Sequence, residues 1–165
     1  MQNANITTLR LEIDSFINST RFLRQSREVS LAHTNLQRAK MWLGKAQGEL
    51  GNPTPYTNSE NAANKIIEPQ ADHTENNLTK RWNEIEQTHT ARVKDFRFVC
   101  QETIDKFKKF FDNSESAGKR YDTYLNQSLL ALEEAKMWLG WELDRIRVEL
   151  ENVDKDNAPQ TFLPL

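Results

Sequence analysis

Apolar residues recur along this chain at helical spacing almost from the first residue. Ile6, Leu9, Ile13, Phe16 and Leu23 fall on one stripe, with Thr20 filling the gap, and predict a helix over about residues 5–24. Gln25-Ser26-Arg27 breaks the phase, and Ser26 is of the residue type that caps a new helix. No Gly or Pro forces a break there, so a continuous, bent helix also satisfies the pattern. Ala32, Leu36, Ala39, Leu43, Ala46 and Leu50 then alternate steps of four and three, a heptad seam with a small residue at every second position. Gly51 and Pro53 end that helix. Residues 51–76 carry the only long irregular stretch, which Tyr56, Ile66 and Ile67 are apolar enough to tack onto the helices. A third helix is expected from Asn77 to about Asp112, with Trp82 at its start and Ile85, His89, Val93, Phe96, Cys100, Ile104, Phe107 and Phe111 on its stripe. After a turn at Asn113–Gly118, a fourth helix carries Tyr121, Leu125, Leu132, Ala135, Leu139, Leu143, Ile146, Leu150 and Val153, and Pro159 and Pro164 mark a loose tail. No strand pattern competes. The expected fold is all-α: long antiparallel helical hairpins forming a bundle, the first over residues 1–76 with its proline-rich loop and the second over 77–165.

A repeat sharpens this picture. Ala39-Lys40-Met41-Trp42-Leu43-Gly44 returns letter for letter as Ala135-Lys136-Met137-Trp138-Leu139-Gly140, 96 positions later. The same offset pairs Leu36 with Leu132, Leu50 with Ile146 and Arg24 with Arg120, while Ala46 becomes Glu142 and His33-Thr34 becomes Leu129-Leu130. The core pattern is kept and the polar positions differ, as expected of an internal duplication. A packing role for Trp42 and Trp138 stands beside a ligand-binding one.

Composition adds bounds. The 165 residues suffice to bury one core, and 37% apolar content suits two-faced helices. A net charge of -2 provides no overall attraction to nucleic acid or membrane. Its distribution is uneven: residues 20–45 hold six cations against Glu28 alone, and residues 132–156 hold eight acids against four bases. Antiparallel helices that complement each other's charge explain this, as does a basic cradle for an anionic ligand. The single cysteine, Cys100, excludes an internal disulfide and is expected to be a buried thiol. Neither a signal peptide nor an apolar run of about 18 residues is visible, so a soluble, cytoplasmic protein is expected.

The usual catalytic constellations are missing. Glu86 and His89 make one Glu-x-x-His, but a di-iron bundle needs two, and His89 lies on the apolar stripe as a packed histidine would. Glu133, Glu134 and Glu142 lack the facing acids of a magnesium-dependent helical hydrolase, and neither a phosphate-cradling glycine loop nor a zinc spacing is present. A non-enzymatic protein without cofactor or metal is expected. Cations beside Trp and Tyr on helix faces suit a phosphorylated ligand with a planar base.

The stretch from Arg27 to Ala46, with its Ala32-His33-Thr34-Asn35-Leu36-Gln37 and Met41-Trp42-Leu43-Gly44-Lys45-Ala46, resembles the helical hairpin of phage anti-CBASS sponges and the related anti-Thoeris sponges. Gly51-Asn52-Pro53-Thr54-Pro55-Tyr56, followed by Ile67-Glu68-Pro69-Gln70-Ala71-Asp72, is similar to a segment of phage and prophage proteins with this hairpin. The resemblance covers about residues 24–75, and residues 120–150 more weakly. It implies a homo-oligomer that sequesters a cyclic oligonucleotide or cyclic ADP-ribose-type immune signal between helices, without DNA or membrane partners, in the host cytoplasm if the chain is phage-encoded. On this reading His33 and Thr34 take the positions of polar ligand contacts, and Arg24, Arg27, Lys40, Trp42 and Tyr56 complete the candidate site. The chain departs from the short sponges in being about twice their length, so that its second hairpin stands where a neighbouring subunit would.

Overall fold

The computed structural model describes residues 2–51, 77–84, 88–111 and 120–156. Among the described residues five α-helices carry the fold: α1 (Gln2–Ser19), α2 (Arg27–Glu49), α3 (Asn77–Glu84), α4 (His89–Phe110) and α5 (Arg120–Asp156). There is no strand among the described residues. The expected all-α bundle is therefore found. The proline loop, including Tyr56, the turn at Asn113–Gly118, Ile85 and Glu86, and the C-terminal prolines lie outside the described residues.

The interruption after Leu23 is a true break. A 3-10 turn at Thr20–Phe22 ends α1, and Leu23 is extended. Ser26, also extended, then caps α2 by accepting the Val29 N–H at 3.1 Å. A Ser side chain in that position satisfies one of the N–H groups that a helix start leaves without an intrahelical acceptor. At the other end of α2, Gly51 adopts φ +77°, the left-handed conformation that a β-carbon disfavours.

The expected helix from Asn77 to Asp112 is instead two helices. Thr88 caps α4 by accepting the Ala91 N–H at 3.2 Å. Asp95 Oδ2 accepts from Arg81 Nη2 at 2.6 Å and from Trp82 Nε1 at 2.8 Å. In one straight helix, residues 82 and 95 would stand about 20 Å apart. Their contact means that α3 folds back on the start of α4, which delivers the indole of Trp82 into the core, against Phe96. The stripe alone did not show this, because apolar phase continues across a fold-back.

The core is one cluster drawing on all five helices. Its centre is the antiparallel pair α2 and α5, where Ala32, Leu36, Ala39, Leu43 and Ala46 are fully buried opposite Leu132, Ala135 and Leu139. Small residues in the seam bring the backbones close enough for Ser128 Oγ to donate to the Ala39 carbonyl at 2.7 Å. α1 packs on α2, and α4 on α5. Leu150, expected on the buried stripe of the last helix, is exposed, because α5 there extends past the helices that cover its core face.

One seam position holds a carboxylate. Glu142, which replaces the small residue found at Ala46, is fully buried. Its Oε1 accepts from Ser26 Oγ at 2.8 Å and from Arg145 Nε at 3.0 Å, and its Oε2 accepts from Arg145 Nη2 at 2.8 Å and pairs with His89 Nε2 at 2.5 Å. His89 Nδ1 accepts the backbone N–H of Arg24 at 3.0 Å, so the proton of a neutral ring resides on Nε2 and faces the carboxylate. Glu142 thus joins the cap of α2, the first residue of α4 and the body of α5. Burial by itself raises the Glu142 carboxyl, but the hydrogen bonds from Arg145, His89 and Ser26 and the Arg145 charge outweigh it and hold the group below the ordinary carboxylate range.

Because its folded-state value is depressed, this carboxylate contributes stability that is complete above the ordinary Glu value of about 4.3 and is lost as pH falls below it. Glu142→Ala is expected to cost on the order of 3 kcal/mol in chemical denaturation near neutral pH. Glu142→Gln should cost less there and flatten the acid limb of a stability–pH profile. An unchanged acid limb in that variant would remove Glu142 from its cause.

Candidate functional site

Two turns of α2 separate the first candidate residues from the next, and the structure sends them to different neighbours. Arg24 is exposed in the corner before α2. Arg27, in the first turn, lays its guanidinium 5.6 Å from the centre of the Trp138 ring on α5. His33 turns toward the 3-10 turn after α1 and, through Nδ1, bonds Thr20 Oγ1 at 2.7 Å. Thr20 Oγ1 itself donates to the Ile17 carbonyl, so the ring proton of His33 sits on Nδ1, the reverse of His89. Burial, reinforced by the charge of Arg21, lowers the His33 imidazole from its ordinary value. Thr34 is exposed and donates back to the Ser30 carbonyl. Lys40 pairs with Asp14 of α1 at 2.7 Å. Trp42 is half-buried, stacked on Tyr124 at 5.6 Å and 25°, with Lys45 Nζ 5.0 Å from its ring centre. From Arg27 to Trp42 the helix advances about 22 Å. These residues do not gather into one pocket. Tyr56 lies outside the described residues.

The charge asymmetry of the sequence is partly absorbed between helices. Arg38 of α2 reaches Glu134 of α5 at 3.5 Å, and Arg145 of α5 reaches Glu28 of α2 at 3.4 Å. Arg27 takes part in no ion pair among the described residues. The acids Glu133, Glu134 and Glu142 are likewise dispersed: the first is exposed, the second faces Arg38 and the third is buried. Among the described residues, no three His, Cys, Asp or Glu side chains are gathered as metal ligands would be. Burial pushes the Cys100 thiol far above its ordinary range, against the pull of Lys136 and Arg97, which makes it inert.

What the structure does assemble is a cleft at the N-terminal end of α2. Arg27 and Glu28 form one wall, and Trp138, Trp141, Asp144, Arg145, Val148 and Glu149 of α5 form the other, around a volume of about 510 Å³. Trp138 is half-buried and Trp141 is exposed, so the cleft offers two indoles and one guanidinium committed to no carboxylate. Arg145 is occupied with Glu142, Glu149 and Glu28. Three acids and two cations line it, so the cleft presents carboxylate acceptors as well as cations. Of the sequence candidates, only Arg27 lines the cleft. Trp138 was visible as a repeated word without a partner. Trp141 carried no signal until its exposure was known.

The four tryptophans can be ranked by burial. Trp82→Ala is expected to cost about 3–5 kcal/mol, as for a large core residue. Trp138→Ala, at a half-open cleft, should cost about 1–2 kcal/mol. Thermal and urea denaturation of the two variants checks the order, and equal losses would place Trp138 in the core.

No protein-family model, curated protein or solved structure matches this chain.

Proposed function

We propose that the chain is a non-enzymatic binding protein that sequesters a nucleotide-type signal, a cyclic oligonucleotide or cyclic ADP-ribose-like molecule, as the resemblance of residues 24–75 to phage sponges suggests. The observation that carries this reading is the cleft: a guanidinium without a carboxylate partner among the described residues, set over one indole and beside a second. Bases stack on such rings at roughly 1–3 kcal/mol each. Arg27 supplies one cation for a phosphate, and Glu28, Asp144 and Glu149 offer acceptors for the amino groups of a base.

A second reading draws on a different observation. Leu130, Met137, Trp141 and Val148 are all exposed and fall seven, four and seven residues apart, which lines them along the side of α5 away from Leu132 and Leu139. A helix with an apolar stripe on both sides has a second surface to cover, and a second copy of this chain fits it by pairing α5 with α5. The two readings are compatible, since Trp141 and Val148 belong to both the stripe and the cleft, and a second copy would close the cleft over its ligand.

Isothermal titration of the intact chain against cyclic dinucleotides, cyclic trinucleotides and cyclic ADP-ribose isomers tests the proposal. At least one member should bind in the micromolar range or tighter, and Trp138→Ala should weaken it by roughly tenfold or more. No binding by any member at high micromolar concentration would overturn it. A concentration-dependent mass together with that negative result would leave the α5–α5 pairing of two copies in its place.

A further inference from the structure

The two copies of the repeated word stand in the same surroundings but differ in charge compensation. In the first, Arg10 of α1 lies across Gly44, so that a β-carbon there would meet Nη2 at 3.3 Å. Arg10 Nη1 donates to Gln47 Oε1 at 2.8 Å, and the neighbouring Lys40 pairs with Asp14, one turn beyond Arg10. In the second, Arg97 of α4 lies across Gly140 with the same 3.3 Å clearance, and Lys136 takes the place of Lys40. Here the position that corresponds to Asp14 is Gln101, and the one that corresponds to Gln47 is Leu143. One carboxylate and one amide oxygen are therefore missing around an otherwise matching pair of cations.

The consequences are visible in the contacts. Lys136 Nζ donates to Gln101 Oε1, a neutral acceptor. Among the described residues, no carboxylate stands within ion-pair distance of Arg97, Lys136 or the exposed Lys108. These three cations line one cleft of about 350 Å³ between α4 and α5, with Glu133 its only acid among the described residues. Asp105 accepts from the Gln101 amide nitrogen at 2.8 Å and is not part of the lining. A half-buried guanidinium with no carboxylate partner among the described residues, beside two ammonium groups, has the chemistry of a site for a tetrahedral oxyanion: the planar fork binds two oxygens and the lysines neutralise the rest.

We propose that the α4–α5 cleft binds a phosphate group through Arg97, Lys136 and Lys108. The Arg27–Trp138 cleft has other walls, and this site does not rest on it. The phosphate is either free or carried by an organic molecule, and the test separates these sources. Amide chemical shifts of the intact protein are followed by NMR while inorganic pyrophosphate is added, and in a second series while a nucleoside monophosphate is added. Saturable shifts are expected along residues 97–108 and 133–140. Lys108→Gln and Lys136→Gln should each weaken binding by roughly tenfold to a hundredfold, with the fold kept as judged by the melting temperature. Gln101→Asp restores the carboxylate of the first copy and should weaken binding similarly. Tighter binding of the nucleoside monophosphate than of pyrophosphate identifies an organic phosphate as the ligand, and the reverse order identifies the free ion. No saturable shift with either probe, or unchanged affinity in all three variants, would overturn the proposal.

Discussion

Everything at one end of this bundle converges on a buried carboxylate. Glu142 sits at a seam position that the periodicity reserves for an alanine-sized residue, and it is tolerated there because four donor groups from three elements meet it. Such a group stabilises only when it is fully satisfied. With a partner removed, the desolvation of the remaining charge dominates. The arrangement also dictates local structure: Ser26 must leave helical geometry to cap α2 and donate to Glu142, and His89 must begin α4 where it does to reach the same carboxylate. The breaks between α1 and α2 and between α3 and α4 are thereby fixed in space relative to α5. The cleft of Arg27, Trp138 and Trp141 borders this cluster, which contributes Arg145 to its wall.

The repeated hexapeptide gains a physical meaning from its glycine. In both copies Gly44 and Gly140 leave room for an arginine from the preceding hairpin helix to lie flat across the backbone. The alanine and leucine of each word fill the α2–α5 seam, the lysine reaches a polar group on the neighbouring helix, and the tryptophan stands half-open at the edge. The words are thus alike in packing and unlike in electrostatics: one has its cations matched by Asp14 and Gln47, and the other does not.

The sequence was most informative where packing is periodic. The seam of Ala32, Leu36, Ala39, Leu43 and Ala46, the stripe through Val93, Phe96 and Cys100, the cap at Ser26 and the terminating Gly51 are all readable from spacing and residue type, because each depends on neighbours within two turns. The fold-back of α3 was hidden, since its determinants, Asp95 with Arg81 and Trp82, are thirteen and fourteen residues apart. The candidate site was legible only at Arg27. His33 and Lys40 looked available because their partners, Thr20 and Asp14, belong to the 3-10 turn and to α1, outside their own helix. Glu142 did leave a trace, as the one acidic residue opposite an alanine when the copies are aligned, and its meaning required knowing that Ser26 and His89 point at it.

The proton positions on His89 offer the sharpest view of whether this cluster organises the bundle. Long-range nitrogen–proton correlation NMR distinguishes the two neutral imidazole tautomers in solution above neutral pH. Glu142 and the Arg24 backbone require the ring to carry its proton on Nε2, with Nδ1 as acceptor, in a single slowly exchanging environment. A ring protonated on Nδ1, or one averaging between tautomers, would contradict the convergence of α2, α4 and α5 on Glu142.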